Sequence, residues 1–170
     1  QLWWALPLVE SFRILKDIYQ ISDGDYNSML ELYQSLVDIE PLLHKPVRQM
    51  SLGQRTLSDI LAAFLHNPKI VFLDEPTTYL DIAHQMEMMR LIKRLNRESG
   101  IGVVMVLHDL SHAMEVSDWI VVIKDGKKYG EGKPCDVITP QMMRDVYDVE
   151  CDIVHLPGRE KPVIAYREIG

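Results

Sequence analysis

Two adjacent carboxylates end one of the most apolar short segments of the chain. Asp74 and Glu75 follow the apolar run Ile70 to Leu73 and are themselves followed by Pro76. Such a run predicts a strand buried on both faces, usually in a parallel sheet, and proline ends it because it has no N–H for the ladder. Acidic residues at the carboxyl end of a central strand suit phosphoryl chemistry, since one can hold Mg²⁺ and the other can orient or deprotonate a water. Alone, the pattern is also common in proteins that do not bind nucleotides.

A serine–glycine segment upstream offers a second chemical group. Ser51, Leu52, Gly53 and Gln54 open a predicted amphipathic helix, whose apolar residues at helical spacing are Leu57, Ile60, Leu61, Phe64 and Leu65. Serine is a favoured N-cap, and glycine allows backbone amides to come close to a ligand. A helix N-terminus attracts anions because its N–H groups are unpaired and its dipole end is positive. An isolated Ser-x-Gly is more often a helix cap and nothing more.

A histidine follows a second apolar run, residues 102–107, which predicts another buried strand. Imidazole beside the acidic pair can hydrogen-bond a γ-phosphate and sense its presence. His108 and His112 also resemble half of a zinc-protease motif, but that motif needs Glu after the first histidine and both ligands on one helix. Asp109 stands there instead, so zinc is the weaker alternative. The remaining histidines are predicted to be surface or packing residues, as is His112: His44, His66, His84 and His155.

The order of these motifs resembles that of the ATP-binding subunits of ABC transporters. Residues 51–54 are similar to their signature motif, residues 70–75 to their Walker B strand, residues 80–81 to their D-loop, and His108 to their switch histidine. Four motifs in this order make the resemblance specific, and it covers nearly the whole chain. The commoner signature has glycine where Leu52 stands, so this chain adds a side chain close to the expected phosphate.

The resemblance implies the fold and the catalytic chemistry. The expected fold is α/β of the P-loop NTPase type: a mostly parallel sheet flanked by helices, with a helical subdomain. The expected cofactors are ATP and Mg2+. Asp74 would hold the magnesium ion, Glu75 would polarise the attacking water as general base, and His108 would position that water and the γ-phosphate.

The resemblance also assigns residues that bind nucleotide across a dimer. Ser51, Leu52, Gly53 and Gln54 would grip the γ-phosphate of ATP held by the opposite subunit. Asp81, which from its position opens a long helix and serves as its N-cap, would in addition contact that facing subunit.

The implied partners are a second ATP-binding subunit, in a homo- or heterodimer, and transmembrane permease subunits. The expected location is the cytoplasmic face of the cell membrane, as a peripheral subunit. Residues before Thr77 look most like ATPases of drug or lipid exporters, whereas those from Thr78 onward look most like importers of iron-siderophores, haem or cobalamin. The expected function is ATP hydrolysis coupled to transport, first of all iron-siderophore import. The alternatives are an exporter ATPase, a soluble ABC-type ATPase outside transport, and a non-catalytic module descended from such an ATPase.

The phosphate loop of the family does not occur in these 170 residues. No Gly-x-x-x-x-Gly-Lys-Ser/Thr sequence is present, since no two glycines are five residues apart. The chain also begins with Gln1 rather than Met. We therefore expect the carboxy-terminal part of an ATPase domain, which alone would bind ATP poorly and not hydrolyse it. Gln1 is a candidate for the family's Q-loop glutamine, which links the nucleotide to the membrane subunit.

Composition limits the classes of partner. A net charge of −7 argues against nucleic-acid binding, which needs clustered Lys and Arg. Cys135 and Cys151 suit a reducing cytosol, have no metal-ligand spacing and are not expected to form a disulfide. No apolar run approaches the roughly 20 residues of a membrane-spanning helix.

The remaining pattern predicts how the elements follow one another. We expect a helical subdomain (1–50), a core ATPase part (51–133) and a C-terminal helix and β hairpin (134–170). The predicted elements are a helix from Leu8 to Tyr19, a break at 22–25, a second helix to Leu36, a loop between Pro41 and Pro46, a helix from Asp81 to Gly100, a hairpin through Asp125-Gly126, a turn at 130–132, a helix from Thr139 to Tyr147, and a hairpin from 149–155 and 162–166.

Overall fold

Helices and short strands alternate along the computed structural model, which describes residues 2–158 and 161–167. The chain divides into two units, one ending at Val106 and the other beginning at Leu107. The α/β class is confirmed. The division into 1–50, 51–133 and 134–170 follows motifs rather than contacts and stays a prediction. The expectation for Gln1 lies outside the described residues.

Over residues 2–106, the first unit is mainly helical and contains one pair of strands. Its core is built from large apolar side chains of α1 to α5 and of β1, among them Phe12, Tyr33 and Leu61. The buried Tyr33 hydroxyl donates to the Leu61 carbonyl at 2.6 Å. The elements are α1 (Leu8–Ile18), α2 (Asp23–Leu36), α3 (Glu40–Leu43), a 3₁₀ turn (Val47–Gln49), α4 (Leu52–Phe64), β1 (Ile70–Asp74), α5 (Ile82–Ser99) and β2 (Gly102–Val106).

Two predicted interruptions in this unit are wrong. The expected break at 22–25 is instead the start of α2, because the Ser22 hydroxyl accepts a hydrogen bond from the Asp25 N–H at 3.1 Å and caps the helix. The expected loop between Pro41 and Pro46 contains the short helix α3. Pro41 stands in its first turn, where a missing N–H costs no intrahelical bond.

Strands β1 and β2 pair in parallel, with Ile70 opposite Gly102 and Asp74 opposite Val106. The prediction that they are buried on both faces is wrong. Alternate side chains point to opposite faces, and only the face that carries Val71 packs on the core of this unit. The other face, made by Ile70, Phe72, Val104 and Val106, is exposed, with Phe72 76% accessible. We call these four residues the open sheet face.

In the described part of the second unit, three helices pack against two antiparallel hairpins. Its core contains Met114, Ile138, Met142 and Met143. The elements are α6 (Leu110–Val116), β3 (Ile120–Lys124), β4 (Lys127–Gly132), α7 (Pro134–Val137), α8 (Pro140–Tyr147), β5 (Cys151–Val154) and β6 (Val163–Tyr166).

Both predicted hairpins are confirmed, and one predicted turn is wrong. β3 and β4 are joined through Asp125 and Gly126, whose φ angles of 50° and 71° match the left-handed backbone of a tight hairpin turn. Residues 130–132 are not a turn but the end of β4, because Gly130 pairs with Val122 and Gly132 with Ile120. Cys135 is exposed, Cys151 is buried, and both are free thiols.

Within residues 2–158 and 161–167, no helix has both the length and the apolar character needed to cross a bilayer.

Candidate functional site

The N-terminus of α4 is built by a reciprocal pair of hydrogen bonds. The Gln54 N–H donates to the Ser51 hydroxyl at 3.2 Å, and the Ser51 N–H donates to the Gln54 side-chain oxygen at 3.2 Å. This capping box uses two of the donors at the helix end. The amides of Leu52 and Gly53 precede the first intrahelical bond, so this end of the helix presents N–H groups and a positive dipole end. Leu52 is 42% exposed beside them.

A second polar side chain reaches the same oxygen. The ammonium group of Lys45 donates to the Gln54 side-chain oxygen at 2.9 Å, in a partly buried position. Sequence reasoning missed Lys45, because it lies nine residues before Gln54 in an irregular segment and belongs to none of the motifs.

The start of α5 lies against the start of α4. A Cβ atom added at Gly53 would lie 3.3 Å from the His84 ring, so only glycine fits this approach without displacing the ring. His84 binds Asp81 twice: its N–H donates to Asp81 Oδ1 at 2.9 Å, and its Nδ1 lies 2.7 Å from Oδ2. The predicted site residues Gly53 and Asp81 are therefore brought together, with His84 between them.

Asp81 caps α5, as predicted. The backbone N–H and the ring of His84 both bind the Asp81 carboxylate, and they hold the pKa of this carboxyl below its usual range. His84, predicted to be a surface or packing residue, is half exposed but has this defined contact. An open cleft of about 260 Å³ adjoins the pair and is lined in part by Gly53, Gln54 and His84.

The acidic pair ends β1, as predicted. The Glu75 N–H donates to the Val106 carbonyl at 3.2 Å, so the neighbouring strand holds the backbone at this point. Glu75 has a φ of 46°, a left-handed conformation that is costly for a residue with a Cβ atom. The Thr78 hydroxyl donates to Glu75 Oε2 at 2.9 Å. The backbone turn and this hydrogen bond fix the direction of the carboxylate.

Asp74 is an exposed carboxylate at the last position of β1. No three His, Cys, Asp or Glu side chains gather into a metal-binding group in the part of the chain that the structure describes. A lone carboxylate fits Mg²⁺ in nucleotide sites, because this ion commonly uses one or two carboxylates together with phosphate oxygens and water.

The loop from Glu75 to Asp81 is stabilised by hydrogen bonds to the carbonyl of a buried residue, Thr77. Thr77 is buried, and its carbonyl accepts from the Leu80 N–H at 3.2 Å and from the Gln85 side chain at 3.2 Å. Tyr79 lies at the tip with a φ of 67° and is 90% exposed.

His108 lies in the second unit, between β2 and α6, and is exposed. Asp109 caps α6 by accepting from the N–H groups of Ser111 and His112 at 2.7 and 3.1 Å. The two histidines therefore do not share one helix, which removes the arrangement that the zinc alternative requires. The sequence predicts that His108 lies beside Asp74 and Glu75. These residues belong to different units, and this stays a prediction.

A family model described as "AAA domain, putative AbiEii toxin, Type IV TA system" matches residues 1–111. The chain is 40% identical over 119 residues to "Iron(3+)-hydroxamate import ATP-binding protein FhuC" of Bacillus subtilis (strain 168), a match over 70% of this chain and 44% of that protein. The chain spans about half the length of the curated relatives it matches.

Solved structures agree with the fold. "An inward-facing conformation of a putative metal-chelate type ABC transporter" superposes with a TM-score of 0.81 at 18% identity, over 98% of this chain and 67% of that chain. The "dimeric structure of a post-hydrolysis state of the ATP-binding cassette MJ0796 bound to ADP and Pi" matches with a TM-score of 0.64 at 29% identity, over 79% of this chain and 59% of that chain. The predicted P-loop NTPase-like fold is consistent with both matches.

Proposed function

This chain belongs to the family of ABC transporter ATP-binding domains, and we propose that it supplies the signature turn and the acidic strand end of an ATP-hydrolysing transport subunit. The observation that carries the proposal is the N-terminus of α4, where Ser51 and Gln54 form a capping box with glycine between them. A helix end with unpaired amides stabilises an anion, and a phosphate is the anion that this family binds there.

The acidic strand end supplies the chemistry. Asp74 binds the magnesium ion of Mg-ATP, in part through water, while Glu75 acts as the general base for the attacking water. The hydrogen bond from Thr78 to Glu75 supports this role, because a base must be held in one direction to act on one water. His108 positions the same water and the γ-phosphate. Catalysis of this kind rests on positioning and on electrostatic stabilisation of the transition state.

The complete site is shared between two subunits. Ser51, Leu52, Gly53 and Gln54 contact the γ-phosphate of ATP bound to the facing subunit, and Asp81 contacts that subunit next to them. The contact of Gly53 with His84, and of His84 with Asp81, supports this arrangement because it places both segments side by side. The matched MJ0796 structure is described as dimeric and bound to ADP and Pi.

The transported substrate is an iron chelate of the siderophore type, taken up through a permease to which this subunit binds at the cytoplasmic face of the membrane. Two observations support this choice: the iron-hydroxamate import protein that matches over 70% of the chain, and the resemblance of residues from Thr78 onward to importers. An exporter ATPase is the second candidate, favoured by the resemblance of the residues before Thr77.

The test separates phosphate binding from helix capping. In the complete gene product, Ser51→Asp keeps an N-cap side chain, since Asp caps helices as well as Ser does. The variant brings a negative charge to the place of the γ-phosphate, and we expect ATP hydrolysis to fall about 100-fold or more with the fold unchanged by circular dichroism.

Ser28→Asp is the matched control, because Ser28 is exposed on α2 and the same charge is added there. It should hydrolyse ATP at the unmodified rate. Equal hydrolysis by Ser51→Asp and Ser28→Asp would contradict the proposed function.

A further inference from the structure

Lys45 is joined to the signature turn (residues 51–54) through a single oxygen atom. The Gln54 side-chain oxygen accepts from the Lys45 ammonium at 2.9 Å and from the Ser51 N–H at 3.2 Å. The Gln54 N–H in turn donates to the Ser51 hydroxyl at 3.2 Å. The lysine therefore fixes the orientation of the Gln54 carboxamide, and through it the start of α4.

The backbone of Lys45 is held by two separate elements. Its carbonyl accepts from the Leu8 N–H at 3.2 Å, at the start of α1, and its own N–H donates to the Leu42 carbonyl at 3.0 Å, in α3. The next residue, Pro46, forms an isolated antiparallel bridge with Pro7. The backbone that carries the ammonium group is therefore held in place by α1 and α3.

The sign of the charge is opposite to what helix stability favours. Acidic residues stabilise a helix N-terminus and cations destabilise it, because the dipole end is positive. The first turn of α4 contains no acidic residue, and the cation Lys45 lies next to it. A helix end that combines free amides with a nearby cation is poor for stability and good for binding an anion.

We propose that Lys45 is a positioning residue of the signature turn, which orients Gln54 and raises the positive potential where the γ-phosphate of ATP binds. The inference rests on the proposed function of residues 51–54. Lys45 acts through Gln54 and through its charge, without touching the nucleotide. Asp38 and Glu87 line the same cleft as Gln54, and the Lys45 ammonium adds a positive charge at the Gln54 side-chain oxygen.

The test compares lysine variants in the complete gene product. Lys45→Met removes both the donor and the charge, Lys45→Gln keeps a donor without the charge, and Lys45→Arg keeps both. We expect Lys45→Met to raise the apparent KM for ATP about tenfold, with a smaller change in kcat, because Gln54 loses its orienting hydrogen bond and the turn loses a nearby positive charge. Lys45→Arg should restore KM to within about threefold, and Lys45→Gln should lie between.

Lys127→Met is the matched control, since Lys127 is an exposed lysine in the β3–β4 hairpin and the same charge is lost. Thermal unfolding gives a second readout. A merely structural role predicts a lower Tm for Lys45→Met than for Lys127→Met, whereas removal of a cation from a helix N-terminus predicts an equal or higher Tm.

The outcomes separate the inference from the function on which it rests. If Ser51→Asp abolishes hydrolysis but Lys45→Met has the KM of Lys127→Met, the role of Lys45 is wrong and the function of the turn stands. If Ser51→Asp has no effect, the function of the turn is wrong and the inference falls with it. A lower Tm for Lys45→Met together with an unchanged KM for Lys45→Gln would also overturn the inference.

Discussion

Two residues of the proposed site also have a structural role. Ser51 and Asp81 both cap helices with the oxygen atoms that the proposed function assigns to nucleotide and subunit contacts. A cap orients its side chain along the helix axis and leaves neighbouring amides unpaired, so the requirements of capping and of anion binding are compatible. Glu75 adds a backbone cost, because its φ of 46° is left-handed, and its carboxylate at this turn accepts a hydrogen bond from the Thr78 hydroxyl.

The pH dependence of stability tests the Asp81 contact. The folded pKa of this carboxyl is depressed, chiefly by the bond from the His84 N–H, so its contribution is present above its unfolded pKa and is lost as the pH falls through the folded value. We expect the stability advantage of the unmodified chain over Asp81→Asn, which still caps α5, to shrink as the pH falls below about 4. Denaturant unfolding between pH 6 and pH 2 measures it.

Asp118→Asn, a loss of the same charge at an exposed position, serves as control. An advantage that grows on acidification would show that the Asp81 carboxylate is not stabilised by His84.

At the scale of elements, helix ends follow local rules and were predictable. Ser51, Asp81 and Thr139 all occupy N-cap positions, and Gly100 ends α5 with a φ of 70°. The wrong predictions have two causes. Residues 130–132 belong to β4 because they pair with β3, a neighbouring strand that the local sequence does not reveal. The error at 22–25 is local, because Ser22 caps α2 and Gly24 lies in its first turn, where glycine alone suggests a break.

Two glycines offer a matched test of how much a left-handed backbone costs a residue with a Cβ atom. A Cβ atom at Gly100 would meet no atom within 4 Å, so Gly100→Ala should destabilise only through the left-handed backbone, by about 1 kcal/mol. Gly24 lies in the first turn of α2, its nearest neighbour would be the Ser22 hydroxyl at 3.8 Å, and Gly24→Ala should be neutral or stabilising. Urea unfolding of both variants measures the difference, and equal effects would contradict the backbone explanation.

At the scale of the molecule, the class of fold could be predicted from the sequence, but the burial of the strands and the contacts between distant segments could not. Periodicity shows which side chains share a face, and it carries no information on what covers that face. The strand Ile70–Asp74 was therefore placed correctly, while its burial was not, since Phe72 is largely exposed. The contact of Lys45 with Gln54 likewise depends on how α1 and α3 hold an irregular segment.

The open sheet face has a consequence for the 170-residue chain in solution. Four apolar side chains on one face of a paired sheet favour self-association. We expect Phe72→Thr, which keeps strand propensity, to reduce self-association of the chain at high protein concentration. Analytical ultracentrifugation measures the change. Tyr79→Thr removes an even more exposed aromatic residue outside this face and is the control. Equal association of the two variants would contradict a role for the face.

The close approach of His84 to Gly53 predicts that substitutions at these two positions are correlated in evolution. An added methyl group at position 53 would come within 3.3 Å of the imidazole, so the occupant of position 84 limits the size of the residue tolerated at 53. Homologues with alanine at position 53 should have a smaller side chain than histidine at position 84. Covariation of the two positions would be evidence of this constraint.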